Sequence, residues 1–464
     1  MSSITLIALP PRGLGSGVKA PSAALGHIVP TLTKDNIKVV CYDMNIDIFE
    51  DKGAEWYERA LTWGETFGDV ESDIESEFIE YLENYITEIK TEWVGISVFS
   101  VNSEYIVPIV CKHIRNISNA KIVAGGYGCN PKIGPKWKQD GIIDNYILGE
   151  GEGSLNSLIL GEKHNCIDGI ERHEVENLDE LPIPDYSLFV RGNNKKRDFT
   201  ITASRGCVRK CTFCNVPNIF PKFRWKKGEK IAEEMIDIIH KYNPDNILFS
   251  DSLINGNMKE FRKWTRLMTE YYDNNPDVKV VPWAAQFICR NSNAMTKEDF
   301  DYIKSSGCFN LQIGIESGSE SVREHMGKKF NDDDMYYTLG ELAERNIDVV
   351  LLMIVGYPTE TEQDHEDTVT FLENVNDWFG HKSKFIVNLN VMKLLSNTHI
   401  LHQTELYKWN KKQTDFVSAL GTDWVDRKER FFELYELIEF SKNLVQAHPN
   451  PEKYKMLKKY DRVV

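Results

Sequence analysis

Long hydrophobic runs are missing from this 464-residue chain. No stretch approaches the roughly eighteen consecutive apolar residues that mark a membrane-spanning helix. The N-terminal segment also lacks an apolar run with a basic flank and a small-residue cleavage site, so the expected compartment is the cytoplasm and no membrane partner is expected. Positive charge is scarce too. The 55 Lys and Arg against 70 Asp and Glu leave a formal net charge of −15, which argues against a nucleic-acid partner, because neutralising phosphates takes clustered cations. Two short basic clusters, Lys195 to Arg197 and Arg224 to Lys227, are read as solvated surface or as an attraction for an anionic ligand. No internal repeat or low-complexity tract is present. The length suits two or three domains, each large enough for its own core.

Disulfides are not expected, because a reducing compartment keeps thiols free. Of the nine cysteines, Cys41, Cys111, Cys129, Cys166, Cys289 and Cys308 are scattered, most of them in apolar contexts where cysteine serves as a small core residue. The other three are different. Cys207, Cys211 and Cys214 stand in a C-x3-C-x2-C spacing inside Ser204-Arg-Gly-Cys-Val-Arg-Lys-Cys-Thr-Phe-Cys214. Three thiolates in a loop this short can wrap one soft metal centre, an iron–sulfur cluster or zinc. A structural zinc wants four protein ligands, and no fourth Cys or His lies within twenty residues on either side. A 4Fe-4S cluster held by three cysteines leaves one iron open, and an open iron implies catalysis.

The chain around this loop reads as α/β. Apolar segments at Ile4–Leu9, Ile37–Tyr42, Trp93–Phe99, Lys121–Ala124 and Asn145–Leu148 alternate with helix-like segments, giving a doubly wound, Rossmann-like parallel sheet over residues 1–160. One of those helices lies between Glu65 and Glu92, where ten acidic residues accompany Phe78, Leu82, Tyr85, Ile86 and Ile89 at helical spacing. The strand ends are rich in glycine: Gly13, Gly15 and Gly17, then Gly125 and Gly126, then Gly149, Gly151 and Gly153. Such sheets bind ligands beyond their strand C-termini. Glycine there lets backbone approach a bulky ligand, or merely makes a tight turn.

Residues 161–197 read as a linker, stiffened by Leu181-Pro-Ile-Pro184. From 198 to 395 six apolar strands are expected, at 199–203, 246–249, 278–281, 309–315, 349–355 and 385–389, short of the eight in a full (β/α)8 barrel. That is a partial (β/α)6 barrel, with the cysteines just past its first strand. Residues 396–464 are expected to be mostly helical.

The cysteine spacing after a strand, with Phe213 beside the last cysteine, resembles the radical S-adenosylmethionine (SAM) enzymes. Gly314-Ile-Glu-Ser-Gly318 and Gly356-Tyr-Pro358 are similar to motifs of that family, and Pro10-Pro11, Val94-Gly-Ile-Ser97, Val123-Ala-Gly-Gly126 and Gly149-Glu-Gly-Glu152 resemble the cobalamin-binding domain that precedes the core in its cobalamin-dependent members. The resemblance implies a 4Fe-4S cluster on Cys207, Cys211 and Cys214, SAM bound to the open iron, and a 5′-deoxyadenosyl radical formed by one-electron cleavage. It implies SAM contacts from Phe213, Asp251, Gln286, Glu316, Ser317 and Gly356, with Arg290 also turned into the barrel. A helix cap is an equally ordinary use for Asp251. A carboxylate such as Glu316, directly after a buried strand, needs a partner.

Candidate cobalamin contacts are Gly13, Gly15, Ser97, Asn102, Gly125, Gly126, Gly149 and Gly151. The Asp-x-His-x-x-Gly motif that supplies a lower cobalt ligand elsewhere is absent, so either cobalt has no histidine below it or the domain holds no cobalamin. The expected activity is methyl transfer to an unactivated carbon or phosphorus of a small molecule or peptide, fed by a flavodoxin- or ferredoxin-type donor. The alternatives are a cobalamin-free radical cyclase, rearrangement or oxidation enzyme, and a non-catalytic zinc-stabilised binding protein.

Overall fold

The computed structural model describes residues 2–10, 20–65, 72–99, 104–189, 198–395, 398–409 and 416–447. The chain divides into two compact units, Met1–Thr202 with Glu233–Ser250, and Ala203–Ala232 with Asp251–Val464.

The first unit is built on strands β1 (Ser3–Ala8), β2 (Lys38–Asp43), β3 (Trp93–Ser97), β4 (Lys121–Gly125) and β5 (Asn145–Tyr146), all parallel in the order β2-β1-β3-β4-β5. Alternation along β1 explains why its run is almost wholly apolar. Ile4, Leu6 and Ala8 enter one core with Leu25, Val29 and Leu32 of helix Ala23–Lys34. Ile7 enters the opposite core with Phe78 and Leu82 of helix Ser72–Tyr85 and with Val107, Val110 and Ile114 of helix Ile106–Ile117. Each fully buried Ile or Leu contributes about 1.5–3 kcal/mol as an upper bound. The strand order reverses direction between β1 and β3, the place where a doubly wound sheet opens a ligand crevice.

The same unit holds β6 (Asp198–Ile201). After β7 (Ser204–Arg205) and β8 (Arg224–Trp225), which belong to the second unit, the first unit regains β9 (Asn246–Phe249), parallel to β6. The proline-stiffened connector is docked within this unit: Asp185 N donates to Gly26 O at 2.9 Å, and a Cβ on Gly26 would fall inside the Tyr186 ring. Burial raises the Asp185 carboxyl, but hydrogen bonds from Ser187, Tyr242 and Lys241 outweigh it and hold the pKa at about 2.

The second unit continues with β10 (Trp283–Phe287), β11 (Cys308–Glu316), β12 (Asp348–Val355), β13 (Phe385–Val391), a short antiparallel pair β14 (Tyr407–Trp409) and β15 (Phe416–Ser418), and β16 (Leu444–Gln446). Strands β10, β11, β12, β13 and β16 lie side by side, all parallel. Burial along them has a period of two. Leu311, Ile313 and Ile315, then Val349, Leu351, Met353 and Val355, then Phe385, Val387 and Leu389 are fully buried. Helices Lys297–Ser305, Asp332–Glu344 and Trp424–Phe440 pack against these strands. The alternate residues Gln286, Gln312, Gly314, Val350, Leu352 and Asn388 stay partly open. One face of the sheet is therefore sealed and the other is accessible.

One expectation needs correction. Val278–Val281 is not a strand: the chain turns there, with Val278 N on Asn275 O, Val280 is exposed, and the strand starts only after Pro282, where Trp283 N meets Gly307 O. The β-branched run carried the strand pattern, but proline at 282 removes a ladder donor and pushes the start past it. In the C-terminal region the described residues hold the long helix Trp424–Phe440 and two short 3-10 helices, His399–His402 and Thr404–Leu406, beside the β14–β15 pair and β16.

Candidate functional site

The three cysteines hang from a hairpin. Strands β7 and β8 pair antiparallel, Ser204 with Trp225 and Arg205 with Arg224, and Lys226 N closes onto Ala203 O at 2.8 Å. Gly206 makes that closure possible, since at φ +86° its Cβ would lie 2.7 Å from Lys222 O. Inside the loop, Thr212 is held on three sides: its N–H donates to Met326 O at 2.9 Å, its C=O accepts from Ile400 N at 2.8 Å, and its hydroxyl meets the buried Tyr357 hydroxyl at 2.8 Å. The loop is thus tied to structure on either side of Cys211 before any ligand arrives.

Cys207, Cys211 and Cys214 are partly exposed, while the other six cysteines are buried. Burial drives the thiols of Cys41, Cys111, Cys129 and Cys289 up to about 12, which makes them inert. Cys214 is raised to about 11, by burial and then by its neighbours Cys211 and Cys207, with Lys328 pulling it down. Among the described residues, no three His, Cys, Asp or Glu side chains converge tightly enough to chelate a single metal ion. A cluster asks less of them, because each cysteine takes a different iron.

Beside Cys211 lies an ion pair that the sequence reading missed on one side. Glu316, at the end of β11, is buried at φ +71°, a strained conformation for a residue with a Cβ. Its carboxylate accepts from Lys328 Nζ at 2.9 Å, and the same ammonium donates to Gly314 O at 2.8 Å and sits 5.7 Å from the Phe213 ring centre. A Cβ on Gly314 would stand 2.4 Å from the Glu316 carboxylate, so only glycine leaves room for this pair. Burial would lower the Lys328 pKa, but Glu316 and Cys211 outweigh it and the ammonium is held charged. The partner that the Glu316 carboxylate required is Lys328, twelve residues on, where no motif marks it.

Asp251 is the second buried carboxylate. It is not a helix cap, since Asn257 caps the helix that follows. Its Oδ2 accepts from Ala203 N at 3.0 Å, while Oδ1 is buried without a hydrogen-bond partner. Burial pushes its pKa up to about 6, against hydrogen bonds from Ser204 and Ala203 and the charge of Lys226. An orphaned, buried carboxylate oxygen is a place where a donor from a ligand is wanted.

The remaining candidates in this unit divide. Gln286 is exposed on the open face of β10. Arg290 braces a loop, with Nη2 on Asn255 O at 2.9 Å. Ser317 is buried against helix Glu362–Trp378, its hydroxyl 3.3 Å from Thr368 Oγ1. Gly356, at φ +78°, packs under Arg427, whose Cδ would be 2.2 Å from an added Cβ. That contact is with helix Trp424–Phe440, and it alone demands glycine at 356.

In the first unit, Gly13, Gly15 and Asn102 lie outside the described residues. Ser97 ends β3 and accepts from Leu9 N through its carbonyl. Gly126 and Gly149 have φ of +97° and +88°, and a Cβ on them would meet Val98 O at 2.6 Å and His173 O at 2.3 Å. Close approach of the chain's own backbone requires both. Gly125 has only ordinary contacts around a built Cβ, and Gly151 would touch Ile28 Cδ1 at 3.0 Å. Next to this turn Phe99 and Tyr127 expose 54% and 38% of their surface, large apolar groups at the ends of β3 and β4.

Residues 201–372 match the Radical SAM superfamily. An uncharacterized methyltransferase of Pyrococcus horikoshii is 25% identical over 306 residues, which is 61% of this chain and 64% of the relative. The chain thus aligns with a little under two thirds of that relative. The solved structure of the radical S-adenosylmethionine methyltransferase TsrM from Kitasatospora setae, with cobalamin and a 4Fe-4S cluster bound, gives a TM-score of 0.67 at 14% identity, over 88% of this chain and 76% of that one. The cobalamin-dependent S-adenosylmethionine radical enzyme OxsB, with aqua-cobalamin and S-adenosylmethionine bound, gives 0.67 at 16% identity, over 99% and 70%. At these identities the likeness is one of fold. Among the described residues no helix is long and apolar enough to cross a membrane.

Proposed function

We propose that this chain, which carries a radical SAM domain over residues 201–372, is a cobalamin-dependent radical SAM methyltransferase acting on an unactivated carbon or phosphorus of a small molecule or peptide. The observation that carries the radical part is the pre-tied cysteine loop with the Glu316–Lys328 pair beside it. Cys207, Cys211 and Cys214 would hold a 4Fe-4S cluster, which fits a donor set of three half-exposed thiols with no fourth nearby. When bound, that cluster supplies the single electron that cleaves SAM.

The chain's own residues do the rest. Thr212 and Tyr357 fix the loop. Lys328, charged and next to Cys211, offers a cation to a ligand carboxylate, and Glu316 fixes where that cation stands. Asp251 Oδ1 waits for an ammonium or hydroxyl donor. Gln286 and Gln312 on the open sheet face are polar groups for positioning a substrate.

Phe99 and Tyr127 support a corrinoid on the first unit, since a broad, partly apolar macrocycle would cover them, and no step need involve a histidine below the cobalt. Purification under nitrogen with hydroxocobalamin tests this reading. Stoichiometric corrinoid, with S-adenosylhomocysteine formed beside 5′-deoxyadenosine, is expected; failure to retain any corrinoid would sink the methyl-transfer half. Gly126 and Gly149 favour a second reading, because backbone packing alone explains them. On that reading the enzyme is a cobalamin-free radical cyclase, rearrangement or oxidation enzyme and yields 5′-deoxyadenosine without S-adenosylhomocysteine.

A further inference from the structure

Strands β10 to β13 are all parallel, and a parallel sheet is ordinarily covered on both faces. Here helices seal one face, while the other stays partly open even in the middle of the sheet. An accessible face in that position is a place for a ligand, and what it offers is neutral. Along the four strands the charged side chains are Glu316 and Asp348. Glu316 is matched by Lys328 at 2.9 Å, and Asp348 stands at the opposite end of the strands, where its carboxylate accepts from Lys384 N at 3.2 Å. Between those ends the open positions carry carboxamides and aliphatic groups. Gln286 and Gln312 are register partners on β10 and β11, Val350 continues their row on β12, and Leu352 pairs with Asn388 one step further along β12 and β13. Neither glutamine side chain has a hydrogen-bond partner among the described residues, whereas Asn388 and Asn390 are linked to each other at 3.4 Å.

Neighbouring strands stand about 4.8 Å apart, so two carboxamides side by side can reach one flat group between them. Each presents an acceptor oxygen and two N–H donors. The group that answers such a pair with an N–H and a C=O in one plane, and with no charge, is another amide. An anion fares worse. It would leave water for a face whose nearby cation, Lys328, is already held by Glu316, and an unpaired charge is costly to desolvate. We propose that the open face of β10 to β13 binds its substrate through an uncharged amide held by Gln286 and Gln312, with an aliphatic part laid over Val350 and Leu352. The inference rests on the radical SAM reading of this unit and narrows it: the face admits an amide-bearing small molecule or a peptide and turns away an anionic phosphorus compound. Gln286 then faces the substrate rather than SAM.

Full-length protein is reconstituted anaerobically and supplied with SAM, and ligand-observed NMR titration compares three probes of one shape: N-methyl-4-methylpentanamide, methyl 4-methylpentanoate and the 4-methylpentanoate anion. The amide is expected to bind about tenfold more tightly than the ester, which lacks the N–H, and more tightly than the anion. Gln286→Leu and Gln312→Leu should each bring the amide down to the level of the ester, with SAM binding by equilibrium dialysis unchanged. A capped tripeptide, N-acetyl-Gly-Leu-Gly amide, separates the two sources of the amide: tighter binding than the small probe assigns the face to a peptide, and weaker binding assigns it to a small molecule. An ester or anion that binds as tightly as the amide overturns the proposal, as does an amide preference that survives in both variants. Loss of SAM binding in Gln286→Leu also overturns it, since that side chain would then face the cofactor. A wild type that prefers the amide yet makes no 5′-deoxyadenosine with dithionite keeps the amide face and removes the radical reading instead.

Discussion

The cysteine hairpin of the second unit and the glycine-rich strand ends of the first carry their signals in opposite ways. Around the hairpin, side chains carry the chemistry, and the structure surrounds them with groups that have little other use: an orphaned Asp251 oxygen, a strained Glu316, a buried Lys328. At the strand ends, glycines carry the signal, and the chain's own backbone at Val98 and His173 accounts for two of them. A thiolate or carboxylate in a costly position points to a ligand, whereas a glycine in a required position points only to something close, which here is backbone.

The largest expected effect falls on the hairpin. Replacing Cys207, Cys211 or Cys214 singly by Ala should abolish 5′-deoxyadenosine formation under dithionite with circular dichroism unchanged, while Cys289→Ala, a buried thiol, should cost about 1 kcal/mol and keep its iron. Next comes Lys328→Met, which strands the Glu316 carboxylate in a buried site and should cost about 3–5 kcal/mol in urea unfolding; adding Glu316→Gln should restore most of it. If the single variant unfolds like wild type, the pair is not what holds this corner, and the contrast between the two regions weakens.

Asp251 should make the second unit pH-sensitive. Its pKa rises from the usual 3.8 to about 6 in the fold, so its contribution is complete below about pH 4, is lost as the pH climbs through 6, and then levels off. At roughly 1.4 kcal/mol per pKa unit that is about 3 kcal/mol. Asp251→Asn should flatten the profile between pH 4 and 7, and an unaltered slope would mean the carboxyl is not buried as described. The smallest effect separates the glycines. Gly149→Ala should cost about 2–3 kcal/mol without any corrinoid present, while Gly153→Ala, at φ +81° with nothing within 4 Å of the new Cβ, should cost about 1 kcal/mol from φ strain alone. Equal losses at both would mean that close packing is not what selects Gly149.

Much of this was legible beforehand because it is local. The cysteine spacing, the apolar strands of the first sheet and the need of Glu316 for a partner all sit within one short stretch each. The partner's identity was not, because Lys328 reaches Glu316 only after a strand end, a helix and a glycine cap have turned the chain back. Strand β10 was misplaced for a related reason: Val278 to Val281 has the right residue types, but a turn at Asn275 and the proline at 282 decide where pairing starts. At Gly356 the sequence shows a glycine but not Arg427, which packs against it from a helix some seventy residues on.

The central claim is an open coordination position above Cys207, Cys211 and Cys214. Electron paramagnetic resonance of the dithionite-reduced protein, recorded before and after adding SAM, tests it most directly. The account predicts the signal of a reduced 4Fe-4S cluster whose shape changes when SAM binds. A spectrum that SAM leaves untouched, or a colourless protein with one equivalent of zinc, would contradict it.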